Sequence, residues 1–261
     1  MVSVMWANNE VGTLQDMRAV TTLAGEHGAL SHSDAVQAVG HVAVDFAASG
    51  LDTLSFTGHK LGGPVGIGAL LAGREVELTS VLHGGGQERD LRSGTLPVAA
   101  IAGFATAVEE SVAVRETEEQ RLRALRAELV ATVLSTIPDT QLNGSEDPRL
   151  SLPGVANISF RGCRADSLLM LLDAAGVDCS AGSACSAGVS RASHVLTAMG
   201  RTETEALSSL RFSLGHSSTA ADVAVLLRAL PEAVSRARAA GALVAGTRSG
   251  TPSRSSSASL G

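Results

Sequence analysis

Short apolar strand-like segments alternate with helical segments along the first half of the chain, and this alternation most constrains the fold. The predicted strands are, in chain order, residues 2–6, 29–33, 53–56 and 66–71. The predicted helices are residues 16–27, which stop at Gly28, residues 35–39 and a long block over residues 97–136. Strands that alternate with helices predict an α/β sheet with ligand-binding groups at the strand ends.

A change of region is marked by Pro138 and the turn dipeptide Asn143-Gly144. Beyond it we expect a second, smaller α+β domain. Its predicted strands are residues 156–160 and 210–214, and its predicted helices are residues 165–175, 190–200 and 219–240. The expected division is therefore residues 1–137, residues 138–245 and a Ser-rich, disordered tail over residues 246–261.

Composition excludes several classes of protein. The net charge of −6 and the lack of a long basic cluster argue against nucleic-acid binding. The start of the chain lacks the pattern of a signal peptide, and no apolar run is long enough for a membrane span. Cys163, Cys179 and Cys185 form no Cys-x-x-Cys pair, which favours a cytoplasmic protein over a disulfide framework. No His or Cys spacing is typical of a metal site.

Lys60 closes the run Ser55-Phe56-Thr57-Gly58-His59-Lys60, directly after a predicted strand. Asp34 ends the preceding predicted strand, and Gln37 follows it by three residues. A lysine can hold an aldehyde cofactor as a Schiff base, and a carboxylate can bind a protonated pyridine nitrogen. Pyridoxal phosphate needs both groups, so this arrangement predicts a site for it.

Other residues near these strand ends have separable roles. Gln37 could donate to the ring oxygen of the cofactor, and Thr57 and His59 could bind phosphate oxygens. Lys60 would also move protons at the α-carbon of a substrate.

Cys185 lies in Ser180-Ala181-Gly182-Ser183-Ala184-Cys185-Ser186-Ala187-Gly188, a loop of small residues. Such a loop favours an exposed, movable thiol that can act as a nucleophile when its thiolate fraction is raised. Cys179 is expected to pack at a strand end, and Cys163 lies in a turn between two arginines.

Arg211 is a charge within an otherwise apolar strand, so it needs a partner. One interpretation is an internal ion pair. The other is a bidentate fork for a substrate carboxylate.

Six segments together resemble the cysteine desulfurases, which are class V, fold-type I pyridoxal-phosphate enzymes. They are NNEVG (8–12), HSDAVQAVG (32–40), SFTGHKLGGPVGIGAL (55–70), HGGGQERDLRSGT (83–95), SAGSAC (180–185) and SSLRFSLG (208–215). The lysine run alone is shared with class V aminotransferases generally, whereas SAGSAC with RFSLG is typical of desulfurases.

The resemblance implies a fold and a set of residue roles. Residues 1–137 would be the C-terminal part of the cofactor-binding large domain, and residues 138–245 the small domain that carries the cysteine loop. Lys60, Asp34 and Gln37 would bind the cofactor's aldehyde, ring nitrogen and ring oxygen. The remaining cofactor ligands would be Thr57, His59, Asn9 and, toward the neighbouring subunit's cofactor, Thr95. Arg211 would bind the substrate carboxylate, with Asn9 also contacting substrate, and Cys185 would accept the sulfur.

The activity implied by the resemblance is conversion of L-cysteine to L-alanine in a cytoplasmic homodimer. The sulfur would pass as a persulfide to an iron–sulfur scaffold or a tRNA-thiolation protein, and Cys185 could transiently contact an iron–sulfur cluster. The alternatives are a selenocysteine lyase or a different class V aminotransferase-like enzyme, or else an inactive fragment.

The chain departs from the family in several places. It begins in the middle of the family's pattern, so the first elements, a Thr-containing phosphate-binding turn and the ring-stacking histidine have no counterpart here. We therefore expect little or no activity from residues 1–261 alone. Thr57 stands where relatives often have Ser, His216 where many have Arg, and the Ser-rich tail where relatives often have a docking segment.

Overall fold

Four strands form a first sheet in the order β1-β2-β3-β4. They are β1 (Val2–Met5), β2 (Ser31–Asp34), β3 (Thr53–Thr57) and β4 (Gly68–Ala72). The β1–β2 and β2–β3 pairs are parallel and the β3–β4 pair is antiparallel. The mainly parallel sheet confirms the α/β prediction. The computed structural model describes residues 1–181 and 191–248, with side chains as far as residue 241.

Strand register places the carboxyl ends of three strands together. Met5 lies opposite Asp34, and Asp34 lies opposite Ser55. Residues that follow β1, β2 and β3 therefore emerge at one edge of the sheet, which is where parallel α/β sheets bind ligands.

Helix α1 (Met17–Glu26) connects β1 to β2, and its first turn is capped by Asp16, whose side chain accepts a bond from Ala19 N. A short helix, α2 (Phe46–Ser49), precedes β3. The helix predicted over residues 35–39 is wrong, because this segment forms a hydrogen-bonded turn instead. Gly40 follows it at a φ of 75°. This left-handed backbone ends the segment before enough helical hydrogen bonds form to offset the cost of starting a helix.

Small and branched apolar side chains fill the core beside this sheet. Ala35 and Ala38 are fully buried, and larger side chains surround them. These are Met17, Val39, Val42, Leu51, Leu54 and Leu152. Burial at about 25 cal/mol per Å² of apolar surface is the main stabilising contribution of such a cluster.

Four further strands form a second sheet in the order β5-β6-β8-β7. They are β5 (Thr140–Asn143), β6 (Val155–Phe160), β7 (Ser180–Ala181) and β8 (Ser209–Ser213). The helices are α3 (Val98–Thr136), α4 (Ala165–Asp173), α5 (His194–Ala198), α6 (Glu203–Ala206) and α7 (Ala220–Arg248). This mixture of strands and helices confirms the predicted α+β character.

Two boundaries differ from the sequence prediction. The helix expected from residue 190 begins at His194, because the Ser193 hydroxyl accepts a bond from Leu196 N and caps it. Helix α7 continues to Arg248, so residues 246–248 belong to a helix rather than to the predicted tail. The rest of that tail lies outside the described residues.

The chain divides into two compact units. The first comprises residues 1–127, 144–155 and 214–217, and the second comprises residues 128–143, 156–213 and the segment from Ser218 on. In the second unit, Phe160 and Phe212 meet edge to face with ring centroids 6.4 Å apart. The same unit also buries Leu129, Val133, Leu168, Leu172, Leu210, Leu230 and Val234.

A left-handed turn occupies residues 88–90 of the glycine-rich loop. Glu88, Arg89 and Asp90 have φ values of 50°, 57° and 63°. Each such residue costs about 1–2 kcal/mol relative to the right-handed conformation. Surrounding contacts must therefore hold this loop in place.

Within residues 1–181 and 191–248, none of the helices combines the length and apolarity that crossing a membrane requires.

Candidate active site

Asp34 and Lys60 lie at the same edge of the first sheet. Asp34 ends β2, its side chain is exposed, and its Oδ1 accepts a hydrogen bond of 2.9 Å from Val36 N. Lys60 is exposed at the end of a 3-10 turn (Gly58–Lys60) that directly follows β3. Because β2 and β3 are neighbouring parallel strands, the sheet presents a carboxylate and an amine at one edge.

Lys60 is the only lysine among the 20 lysine and arginine residues of the chain; the others are all arginine. This count is a stronger signal than the local motif, because a solvated surface lysine is interchangeable with arginine whereas a covalent amine is not.

The turn that carries Lys60 is closely packed. Leu61 N and Gly63 N both donate to the Gly58 carbonyl, at 2.9 and 3.0 Å. A Cβ added at Gly58 would lie 3.0 Å from Pro64 O and 3.1 Å from Phe104 Cδ2 on α3. The absence of a side chain at Gly58 thus lets the turn seat directly on α3.

Thr57 and His59 are bonded to each other. The Thr57 hydroxyl donates to the Ile67 carbonyl at 3.0 Å, and its oxygen lies 3.0 Å from His59 Nδ1. Since a hydroxyl has one hydrogen, the Thr57 oxygen must accept the His59 Nδ1 hydrogen. His59 Nε2 is then the ring atom available to another ligand.

Asn9 follows β1 at the same edge, and it is exposed. Its neighbour Asn8 is buried, and Asn8 Oδ1 accepts bonds from Glu10 N at 2.9 Å and Val11 N at 3.0 Å. This turn fixes the backbone on either side of Asn9. Gln37 is half-buried in the turn that follows Asp34.

Thr95 is exposed in the glycine-rich loop of the same unit. Gly94 N donates to Gln87 Oε1 at 2.9 Å, and Gly86 N donates to Ser93 Oγ at 3.3 Å, so side chains of the loop hold its backbone. Among the described residues, no hydrogen bond joins Thr95 to the turn of Lys60.

Arg211 lies on β8 in the second unit, and its Nη2 donates to Ser180 Oγ at 3.3 Å. The side chain is half-buried. Asp178 and Cys179 precede this Ser180 contact along the chain. The structure therefore joins Arg211 to the segment that leads into the cysteine loop.

The three cysteines have different surroundings. Cys185 lies outside the described residues. Cys163 is buried, its Sγ donates to Val234 O at 3.7 Å, and burial raises its thiol pKa although Arg238 acts in the opposite direction. Burial, with a smaller contribution from Asp178, raises the pKa of Cys179 to about 11. Neither thiol is a thiolate near neutral pH.

His41 is a site neighbour that sequence reasoning missed. Burial lowers the pKa of the His41 imidazole more than its interaction with the Lys60 backbone raises it. The charge of Lys60 lowers the pKa further. The only signal in the sequence is its place directly after the HSDAVQAVG segment, where the family motif ends.

The described residues hold no group of three or more His, Cys, Asp or Glu side chains that could bind a metal ion. The sheet edge presents an amine, a carboxylate, a hydroxyl and an imidazole.

Comparison with known proteins gives a consistent picture. Residues 1–226 match the family model described as aminotransferase class-V. The chain is 54% identical over 246 residues to an IscS-like cysteine desulfurase of Mycobacterium tuberculosis (strain ATCC 25618 / H37Rv), covering 94% of this chain and 62% of that protein.

Solved structures agree with the sequence comparison. A NifS-like protein from Rickettsia africae ESF-5 superposes with a TM-score of 0.80 at 33% identity, covering 90% of this chain and 61% of that one. SspA in complex with cysteine superposes with a TM-score of 0.64 at 33% identity, covering 81% and 58%. The chain thus spans about 60% of the length of the relatives that it matches.

Proposed function

The chain belongs to the class-V aminotransferase family, and from this membership we propose that it carries most of the site of a cysteine desulfurase. The reaction would convert L-cysteine to L-alanine and retain the sulfur as a persulfide on Cys185. The observation that carries the proposal is the single lysine of the chain, exposed beside Asp34 at the carboxyl edge of a mainly parallel sheet.

The donor set fits pyridoxal phosphate. An amine can form an imine with its aldehyde, and a carboxylate can pair with its protonated ring nitrogen. Thr57 ends the strand that Lys60 follows, and the Thr57 and His59 side chains could hydrogen-bond its phosphate. When bound, this cofactor supplies an electron sink for the substrate's α-carbon. Lys60 would hold the aldehyde covalently, and Asp34 would pair with the ring nitrogen. Gln37 and Asn9 complete the proposed set at this edge.

Thr57 would have to change partners to bind phosphate. Its hydroxyl hydrogen is donated to the Ile67 carbonyl, so that hydrogen would rotate to a phosphate oxygen. The exchange is favourable because a charged acceptor makes a stronger bond than a neutral carbonyl. His59 would face the phosphate through Nε2, since its Nδ1 hydrogen is held by Thr57; Nε2 donates to a phosphate oxygen only when both ring nitrogens carry a hydrogen.

The remaining residues would act on the substrate. Lys60, once released, would move the proton at the substrate's α-carbon. Arg211 would bind the substrate carboxylate with its planar fork. The Cys185 thiolate would form an S–S bond to the substrate sulfur as the bond between that sulfur and Cβ breaks. The elevated thiol pKa values of Cys163 and Cys179 support Cys185 as the nucleophile by contrast.

The proposal extends to the assembly and its setting. A homodimer would let Thr95 reach the cofactor phosphate of the neighbouring subunit, and the persulfide would pass to an iron–sulfur scaffold or a tRNA-thiolation protein in the cytoplasm. Residues 1–137 would serve cofactor binding, and residues 138–245 would present the cysteine loop.

Borohydride trapping tests the role of Lys60. Residues 1–261, and a longer chain with the N-terminal region of the relatives, are incubated with pyridoxal phosphate, reduced and digested with trypsin. We expect the label on the peptide that spans residues 19–74, and its loss in Lys60→Ala. In residues 1–261, the α-amine at Met1 is the internal control.

Cysteine-dependent alanine production is measured on the same two chains. We expect it from the longer chain and little from residues 1–261. Equal cofactor absorbance and trapping in Lys60→Ala would contradict the proposed site.

A further inference from the structure

Helix α3 carries no side chain at a position where the segment after Lys60 packs closely against it. A Cβ added at Gly103 on α3 would lie 2.9 Å from Pro64 Cγ and 3.3 Å from Pro64 Cδ. Four residues further on, Ala107 Cβ lies 2.9 Å from the position of a Cβ added at Gly63. Because residues four apart share one face of a helix, Gly63 and Pro64 contact the same face of α3.

Pro64 cannot move independently of the backbone around Lys60. Its ring is closed onto its own backbone nitrogen, which ties Cγ to the main chain. Its carbonyl oxygen lies 3.0 Å from the position of a Cβ added at Gly58, the first residue of the turn that ends at Lys60. Gly58 N donates to Ile67 O at 3.0 Å, and Gly58 O accepts from Gly63 N at 3.0 Å. A displacement of Pro64 would therefore reach the turn itself.

A methyl group at residue 103 would cause such a displacement. Non-bonded carbon atoms are optimally about 3.5–4.0 Å apart, so Pro64 Cγ would have to move by about 0.6 Å or more. The next residue of α3, Phe104, is 8% exposed and packs against Phe56 of β3 with ring centroids 5.4 Å apart. Because this contact holds α3 against β3, we expect Pro64 to move rather than the helix.

We propose that Gly103 is a positioning residue that, by leaving room for Pro64, sets how close the backbone of Lys60 lies to α3 and so where the Lys60 amine can react. The proposal rests on the proposed function only in taking Lys60 as the reacting amine. The lysine side chain is long and flexible, so the backbone is its one rigid anchor. Misplacement of a reacting group by about 1 Å can slow a reaction on the order of 100-fold.

Gly103→Ala adds the methyl group, and Gly25→Ala is its matched control. Both glycines lie within helices and neither has a positive φ, but a Cβ added at Gly25 would meet nothing within 4 Å beyond its own helix. Alanine favours a helix over glycine at both positions, so only the contact with Pro64 differs.

A third change tests whether that contact carries the effect. Pro64→Ala removes the ring carbons that the methyl group would meet, so the double variant Gly103→Ala/Pro64→Ala should lose the coupling between the two sites. Trp6, the only tryptophan, reports by its fluorescence whether each variant is folded.

The first measurement is amide hydrogen exchange at Leu61 and Gly63 in the absence of cofactor, because both N–H groups donate to Gly58 O within the turn. We expect Gly103→Ala to speed exchange roughly 3- to 10-fold, the range of one net hydrogen bond. Gly25→Ala should leave both rates unchanged, and the double variant should match Pro64→Ala.

The second measurement is the rate at which pyridoxal phosphate with cyanoborohydride labels Lys60, which is unambiguous because no other lysine is present. We expect Gly103→Ala to lower this rate on the order of 10-fold, since the displacement is somewhat smaller than 1 Å. The double variant should again match Pro64→Ala, and Gly25→Ala should match the wild type.

If Gly103→Ala does not fold, Gly63→Ala replaces it, because its Cβ would press on Ala107 from the side of the turn, and Ala107→Gly then replaces Pro64→Ala. Wild-type exchange and labelling rates in Gly103→Ala would overturn the positioning role, as would a loss in the double variant equal to that in Gly103→Ala. A wild-type chain whose Lys60 is never labelled would instead contradict the proposed function, while amide exchange still decides the role of Gly103.

Discussion

Asn8 should contribute far more to stability than an exposed residue with a similar turn, and Asn8→Ala tests this. Asn8 is 8% exposed, and its Oδ1 accepts the backbone N–H groups of Glu10 and Val11, which are 5% and 3% exposed. Alanine offers no acceptor, so both buried N–H groups would lose the bond that the Asn8 side chain accepts. Each such group costs about 1–3 kcal/mol, so the free energy of unfolding should fall by roughly 2–6 kcal/mol.

Urea unfolding followed by Trp6 fluorescence measures this loss, because Trp6 lies two residues from Asn8 and its backbone N–H donates to Asp34 O. Asp16→Ala is the control, since Asp16 Oδ1 accepts a single bond at an exposed helix N-terminus. That cap should cost about 1 kcal/mol. Asn8→Ser should recover part of the loss, because a hydroxyl makes the same turn more weakly.

The comparison also bears on the site, since the Asn8 turn holds the backbone beside Asn9. Borohydride trapping on Lys60 should weaken in Asn8→Ala more than in Asp16→Ala. An unfolding free energy for Asn8→Ala no lower than that of Asp16→Ala would refute the reasoning from burial.

Two further outcomes follow from the site chemistry. At pH 8 an alkylating agent should modify Cys185 first. Cys179, with a pKa of about 11, should react only as the pH approaches that value, because a raised pKa keeps the thiol protonated below it. Mass spectrometry of the labelled peptides measures the order of labelling, and rapid labelling of Cys163 at pH 8 would contradict the prediction. In the longer chain, Arg211→Ala should lower kcat/KM for cysteine at least about 30-fold, because a buried charged pair is lost; an unchanged value would make Arg211 a structural residue.

The sequence predicted the positions of Asp34 and Lys60 well for a physical reason. Each follows a short apolar strand, and neighbouring parallel strands bring such ends to one edge without any further information. Strand alternation was therefore enough to place the amine and the carboxylate together.

Features that depend on distant contacts escaped the sequence. Strand β5 (Thr140–Asn143) has little apolar character, and it is stabilised by the buried side chain of Asn143. The Asn143 Nδ2 donates to Asn157 Oδ1 and Ser159 Oγ, and its Oδ1 accepts a bond from Arg201 Nε. No local pattern predicts such a network. The close approach of Gly40 to Leu61 is of the same kind, because it joins residues whose proximity is created by the packing of two turns.

The left-handed turn at residues 88–90 has a consequence for the segment that carries Thr95. Three consecutive residues in this region make the loop conformation metastable when taken alone, since an isolated peptide would relax to right-handed geometry. The side chains of Gln87 and Ser93 restrain it by bonding Gly94 and Gly86. A change at Gln87 or Ser93 would remove one of these restraints and let the backbone before Thr95 relax.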